Sequence, residues 1–261
     1  MEGAECTTAA LRNMAEYFEF RKNWQGRSGG DDALPAPHAQ LPAGILRAEA
    51  SFRLFESFGI PVVPTVLTRS ATDAATAAER MGFPVALKVE SLDIAHKSDV
   101  GGVALNLTTT GEVRDAFSRI ESQVKTNAPT AKIDGIVVQR IASEGVEMIL
   151  GIKRDPLFGP VVICGFGGIL VEMLKDAAIG IPPLSREQAR DMLKRLRGFA
   201  ILGGIRGKPA ADLDALCSAV AAVSRLAISL GDQLEGLDIN PLIVLPKNEG
   251  VVAVDALVQI R

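Results

Sequence analysis

The stretch LDINPLIVLPKNEGVVAVDALVQI, residues 237–260, decides the fold. Two β-rich runs, Leu237–Leu245 and Val251–Ile260, flank the polar turn Lys247–Gly250, the pattern of an antiparallel hairpin. Closed about Lys247–Asn248, the hairpin sets Asn240 directly opposite Asp255. Closed about Asn248–Glu249, it makes them diagonal neighbours on one face. A one-residue slip would send them to opposite faces. An Asn oxygen beside an Asp carboxylate is a hard oxygen pair of the kind Mg²⁺ takes alongside nucleotide phosphates. A strand-end Asn and a satisfied structural Asp are the plainer alternative.

Upstream, the hairpin pattern repeats. Val146–Ile152 and Pro160–Cys164 are joined by the turn Arg154-Asp155-Pro156, and VALKVE (85–90) and Val103–Leu107 flank a polar glycine loop. Further strands are expected at Val62–Leu67 and Ile136–Ile141. Between them, apolar spacing and caps predict helices. One runs through Leu46, Leu54 and Phe58 and stops at Gly59; one is capped by Ser70 and ends at Gly82. A third turns Val113, Phe117, Ile120 and Val124 inward. A Ser185/Gln188 capping box opens a helix to about Phe199, and Asp212 caps another that ends at Gly231. So many adjacent strand pairs argue against an all-parallel doubly wound sheet. The expected class is α+β with mixed or antiparallel sheets in two lobes. An amphipathic helix from Thr8 to about Asn23 and a Gly/Pro/Asp-rich linker come first. The expected division is helix and linker at 1–42, a small lobe at 43–131 and a large lobe at 132–261.

Composition narrows the function classes. Hydrophobic residues at 48% and charged residues at 23% suit a globular α/β protein, and a net charge of −3 with no basic stripe argues against nucleic acid. Cys6, Cys164 and Cys217 form no CxxC pair, so neither zinc nor a disulfide framework is expected and a reducing cytosol fits. No apolar run is read as approaching the roughly 20 residues of a membrane span, and the first residues lack the features of a secretory leader. The expectation is a cytoplasmic protein with no membrane partner.

Several residues carry potential chemistry. Lys88 lies mid-strand with Ala86 and Glu90 on its face, placed to hold a phosphate or simply to meet solvent. The loop SLDIAHKSDVGG (91–102) gathers His96, Lys97, Gly101 and Gly102; adjacent glycine N–H groups can cradle phosphate oxygens. His96 is able to act as acid, base, nucleophile or ligand, or to be a surface loop residue. Gly165-Phe166-Gly167-Gly168 lacks the further glycine of a dinucleotide fingerprint, since Leu170 stands there, and no GxxxxGK[ST] loop exists. Those glycines serve either close packing or a nucleotide loop. Glu147, Glu172 and Asp176 are further carboxylates near strand ends or loops, and Arg206 between Gly204 and Gly207 is a phosphate contact or a helix-linking turn.

In order, ALKVESLDIAHKSDVGGV (86–103), FGPVVICGFGGILVEMLKD (158–176), GIRGKPAADLDAL (204–216), LDINPLIV (237–244) and VDAL (254–257) resemble the ATP-grasp part of ADP-forming acyl-CoA synthetases, relatives of the succinyl-CoA synthetase β subunit. Leu92 and Ala95 depart from the family's usual proline and leucine, and neither carries a reactive group. The resemblance implies a two-lobed ATP-grasp fold with ATP between the lobes. It implies Lys88 on the phosphates and, with it, Lys97, Gly101, Gly102 and Arg206 in the nucleotide site. Gln139, Arg140, Ile141 and Ala142 would form the adenine-side hinge, and Glu147 would be a nucleotide-contacting glutamate. Asn240 and Asp255 would hold Mg²⁺. In such enzymes ATP phosphorylates a histidine on a CoA-binding part, a carboxylic acid receives the phosphoryl group, and CoA displaces phosphate. His96 matches a loop histidine that relays the phosphoryl group. CoA would be a co-substrate on a partner ligase domain or subunit, so the chain is expected to be a C-terminal piece or a subunit acting on a small carboxylic acid. A regulatory ATP-grasp module of a lysine acetyltransferase and an ATP-grasp ligase of another substrate class are the alternatives.

Overall fold

The computed structural model describes residues 40–94, 96–168, 176–204, 207 and 209–261. The expected helix from Thr8 to Asn23, Glu172 and Arg206 lie outside them. In chain order the elements are β1 (Gly44–Ile45), α1 (Ala48–Ser57), β2 (Thr65–Thr68), α2 (Ala71–Met81), β3 (Val85–Glu90), β4 (Val103–Leu107) and α3 (Thr110–Asn127). Then follow β5 (Gly135–Arg140), β6 (Val146–Asp155), β7 (Gly159–Phe166), β8 (Ala177–Gly180), α4 (Arg186–Leu193) and α5 (Phe199–Leu202). The chain closes with α6 (Leu213–Leu230), a 3₁₀ turn (Gly231–Gln233), β9 (Leu234–Val244), β10 (Val251–Ala253) and β11 (Ala256–Ile260).

Among the described residues the strands form two antiparallel sheets. The smaller has the order β2-β5-β3-β4; the larger runs β1-β11-β9-β6-β7-β8, with β10 also on β9. Each owns a core. In the small lobe, Val113, Phe117, Ile120 and Val124 of α3 are buried with Leu87, Ile136 and Val138. Local chemistry delimits the helices, at Ser70 and Gly82 as expected and at Thr109 with a capping box not read from the sequence. The Ser70 hydroxyl accepts the Asp73 N–H, Gly82 at φ 84° ends α2, and Thr109 with Glu112 forms a capping box for α3. In the large lobe, α6 and α4 cover one face of the sheet, burying Met148, Leu150, Val162 and Phe166 with Leu193, Leu216 and Leu226. The two lobes follow from this: an amphipathic layer must bury its apolar side, and each sheet has its own helices to do so.

Sheet membership does not follow the sequence boundary near residue 131. β1 and α1 join the larger lobe, where Phe52, Leu54 and Phe55 enter its core, and β5 joins the smaller sheet. The helix opened by Ser185 ends at Leu193, not near Phe199, and β8 is an edge strand the periodicity did not announce. The second arm of the terminal hairpin breaks at residues 254–255. The reading of apolar runs also needs correction. Leu213–Gln233 has mean hydropathy 1.6 and is long enough to cross a membrane, but 67% of its most apolar window is buried inside the protein. Small and branched residues let α6 bury nearly its whole circumference, so its lack of a polar face reflects a central position in the core. Cys164 and Cys217 lie in that core; burial pushes their thiols up to about 12 and about 11, so both stay protonated near neutral pH.

Candidate functional site

Period-two alternation in β3 sends Val85, Leu87 and Val89 into the small core, which leaves Ala86, Lys88 and Glu90 on the face toward the large lobe. There the two sheets meet along a seam. Lys88 Nζ pairs with Asp255 Oδ2 at 3.2 Å. From β5, Gln139 Nε2 donates to the Val254 carbonyl at 2.8 Å and to Thr65 Oγ1 at 3.3 Å. The segment that leads from α1 to β2 is bonded to the same stretch of the large lobe: Ala253 N–H to Pro61 O at 2.8 Å and Val63 N–H to Ala253 O at 3.0 Å. Glu90 contributes by accepting the Ala48 N–H at the start of α1.

The hairpin closes in the register centred on Lys247–Asn248. Val251 stands opposite Val244, Ala253 opposite Leu242 and Ala256 opposite Ile239. In the break between β10 and β11, the Asn240 N–H donates to Asp255 O at 3.3 Å and the Val254 N–H to Pro241 O at 3.0 Å. Asn240 and Asp255 therefore face each other, with the Asn240 side chain exposed.

Asp238 was not singled out from sequence, although its place two residues before Asn240 on the same strand face was the available signal. Burial, and then the neighbouring Asp255 carboxylate, holds its carboxyl above the usual range. A buried carboxyl whose charge is disfavoured, close to a second carboxylate and an Asn on the same hairpin, makes a donor set that a divalent cation would relieve. Among the described residues no group of three or more His, Cys, Asp or Glu side chains forms a complete metal cage. That suits Mg²⁺, which keeps several waters and phosphate oxygens and takes only one or two carboxylates from protein. The Lys88–Asp255 pair is 17% and 42% exposed at its two side chains. Such a pair is worth about 1 kcal/mol or less, so a phosphate or a metal ion can displace it cheaply.

The loop from Ser91 to Gly102 works differently from the expected phosphate cradle. The Gly101 N–H is committed to Ser98 O at 3.1 Å and the Gly102 N–H to Lys97 O at 2.8 Å. A Cβ at Gly102 would fall 2.5 Å from Val89 Cγ1 and 2.8 Å from Lys97 O, so this glycine is required by close packing. Gly101 has φ 72°, a conformation that favours glycine, and a Cβ there would also fall 2.6 Å from Gln123 Oε1. The Lys97 ammonium is likewise engaged, 3.2 Å from the Glu90 carboxylate, which is only 8% exposed. Asp93 accepts the Lys132 N–H and Asn127 holds the Val100 carbonyl. His96 is exposed on this tethered loop.

At the expected hinge, the Arg140 and Ile141 N–H groups bond to Pro64 and Pro84 carbonyls, and the Gln139 amide is buried and turned to Val254 rather than free for a base. Glu147 is exposed on β6, and glycines make room for it: a Cβ at Gly168 would lie 2.5 Å from Glu147 Oε2, and the Gly167 N–H donates to Glu147 O at 2.7 Å. Gly165 serves packing, since its Cβ would meet Asp176 O at 2.6 Å. The Asp176 carboxylate accepts the Arg197 and Gly198 N–H groups, a structural role.

With this geometry established, comparison with known proteins is informative. The ATP-grasp domain family matches residues 39–260. The chain belongs to the ATP-grasp family. Within it, this ATP-grasp chain is 35% identical over 223 residues to the β subunit of acetate–CoA ligase [ADP-forming] II from Pyrococcus furiosus, covering 85% of this chain and 94% of that one. It is 35% identical over 255 residues to a trans-feruloyl-CoA synthase from an unknown prokaryotic organism, covering 98% of this chain but 36% of that protein. The chain thus spans about a third of the longer relative's length. A solved chain of acetyl-coenzyme A synthetase 1 from Ca. Korarchaeum cryptofilum, in complex with coenzyme A, Ca-AMPCP and HgCl⁺, superposes with TM-score 0.80 at 39% identity, covering 84% of this chain and 94% of that one. The expected α+β, two-lobed ATP-grasp architecture is the one observed.

Proposed function

We propose that this chain is the nucleotide-handling part of an ADP-forming acyl-CoA synthetase. The observation that carries the reading is the Lys88–Asp255 contact beside Asn240. A strand lysine from one lobe meets the Asp255 carboxylate of the other, and the Asn240 backbone is bonded to that of Asp255. In this reading Lys88 neutralises phosphate charge, while Asn240 and Asp255, with Asp238 alongside, hold Mg²⁺. The ion would supply charge neutralisation on the phosphates. Glu147 and the segment 140–142 border the nucleotide, Arg206 adds a cation, and Lys97 acts indirectly by securing the His96 loop through Glu90.

His96 is the acceptor that makes the site a relay rather than a binding pocket. An imidazole nitrogen attacks the terminal phosphorus of ATP, the P–N bond forms as the P–O bond to ADP breaks, and ADP leaves with the electron pair. The other ring nitrogen carries the remaining proton, and a second histidine on the CoA-binding part exchanges the phosphoryl group with His96. The carboxylic acid and CoA belong to that partner domain or subunit. Supporting this, the two relatives named above are equally identical to this chain, yet one is named for acetate and the other for a feruloyl group. That pairing is what acid choice outside these residues would produce. A cytoplasmic location, where Mg·ATP is at hand, fits this reading.

The test is titration of the chain with Mg·ATP by calorimetry and thermal shift, since a ligand bound only to the native state raises Tm. Binding with no acyl-CoA formed until a CoA-binding partner is added is the expected result. No heat and no Tm shift at millimolar Mg·ATP would remove the nucleotide reading, and acyl-CoA made by the chain alone would remove the partner.

A further inference from the structure

Gln139 is 4% exposed in β5, opposite Thr65 on one side and Ala86 on the other. Its amide nitrogen serves two acceptors. The Thr65 hydroxyl, at 3.3 Å, belongs to the same sheet; the Val254 carbonyl, at 2.8 Å, belongs to the other lobe. Val254 occupies the break between β10 and β11, so this carbonyl turns from the hairpin ladder toward the small lobe. Its own N–H stays in the hairpin, bonded to Pro241 O at 3.0 Å.

The next residue is Asp255. The Val254 carbonyl and the Asp255 N–H share one peptide plane, so fixing the carbonyl direction fixes the backbone from which the carboxylate hangs. The same residue's backbone is held from the other side by the Asn240 N–H on Asp255 O. Lys88, two residues beyond Ala86 on the neighbouring strand, then reaches the carboxylate itself. Two adjacent strands of one sheet thus orient a residue of the other, one through its backbone and one through its side chain.

We propose that Gln139 is the positioning residue for the metal-binding carboxylate of Asp255, acting through the Val254 carbonyl. Divalent-metal affinity in the large lobe is then set in part by a side chain of the small lobe. This rests on the reading of Asn240 and Asp255 as the metal pair. It replaces a direct contact with the nucleotide base, for which the buried amide has no free donor.

The experiment measures Mn²⁺ binding by electron paramagnetic resonance in the 261-residue chain with a non-hydrolysable ATP analogue, and analogue binding in EDTA. Gln139→Met keeps the length of the side chain and removes both donors. The expected result is Mn²⁺ affinity reduced about tenfold or more, the range for loss of a group that orients a ligand. Analogue affinity in EDTA stays within about twofold, because the nucleotide itself is not touched. Thr65→Val, which removes only the same-sheet partner, leaves Mn²⁺ affinity unchanged. Should Gln139→Met not fold, Gln139→Glu keeps the shape, sets an acceptor against the Val254 carbonyl, and should weaken Mn²⁺ binding at least as much. Wild-type Mn²⁺ affinity in a folded Gln139 variant overturns the proposal. So does an equal loss in EDTA, which would make Gln139 a nucleotide contact, and so does a Thr65→Val loss matching that of Gln139→Met. Asp255→Ala separates the layers. If it leaves Mn²⁺ binding intact, the metal reading and this inference both fall; if it abolishes binding while Gln139→Met does not, only this inference falls.

Discussion

The seam where Asn240 and Asp255 face Lys88 and the loop that carries His96 both lie beyond the same strand face of β3, but they are held in different ways. At the seam, groups from two lobes hold one another: Lys88 on Asp255 and Gln139 on Val254. In the loop, the recorded anchors all belong to the small lobe: Lys97 on Glu90, Asp93 on Lys132, Asn127 on Val100, and the glycine N–H groups on the loop's own carbonyls. A binding constellation gains from being held on two sides, because its ligands must stay in place through a weak competition with water. A transfer group must meet partners in turn, and an exposed side chain on a loop braced from one side suits that. The difference predicts that changes at the seam alter affinity, whereas changes in the loop alter either chemistry or stability.

The widest break between the two regions should come from His96→Gln. Acyl-CoA synthesis by the chain with its CoA-binding partner should fall at least about a thousandfold, because glutamine offers no nucleophilic nitrogen. Mg·ATP binding by the chain should stay within about twofold. Rapid-quench recovery of acid-labile, base-stable phosphate on wild type but not on the variant checks it. Turnover near the wild-type rate would reduce His96 to a loop residue.

Seam substitutions should be smaller in effect and of the opposite kind. Asn240→Ala and Asp255→Ala should weaken Mg·ATP binding about tenfold or more while changing binding in EDTA little. Lys88→Ala should weaken it under both conditions if, as proposed, the ammonium meets phosphate directly. Calorimetry with and without metal separates them, and equal losses everywhere would mean that all three act through folding.

Gly102→Ala sharpens the comparison from the loop side. The new methyl would press on Val89 and on the Lys97 carbonyl, costing about 1–3 kcal/mol and lowering Tm by several degrees. A phosphate cradle would instead lose nucleotide affinity with Tm unchanged, so paired melting and binding curves decide between them.

The smallest expected effect lies at Asp238. Its folded-state pKa is raised, so ionising it costs native stability; the cost is complete above the folded pKa and absent below the unfolded value near 3.8. Asp238→Asn should therefore melt slightly higher than wild type at pH 7, and the gap should close as pH falls toward 3.8. Mg²⁺ should narrow the gap as well, by favouring the ionised wild-type carboxylate. A gap that widens in acid would contradict a carboxyl held up by burial and by the neighbouring Asp255.

Much of the molecule was determined by sequence alone, wherever the deciding interactions span only a few residues. The Ser70, Thr109, Ser185 and Asp212 caps, the strand VALKVE and the core face of α3 lie where local chemistry put them. The terminal hairpin took its register from its turn, which was enough to set Asn240 against Asp255. Tertiary structure decided what no local pattern encodes. Lys88 and Asp255 are 167 residues apart, and whether they meet depends on how two separately built sheets pack. The same packing turned Gln139 toward Val254 and drew α1 into the large lobe. A donor's partner is chosen by whatever the fold brings within about 3 Å of it, and residue type and spacing along a chain do not contain that distance.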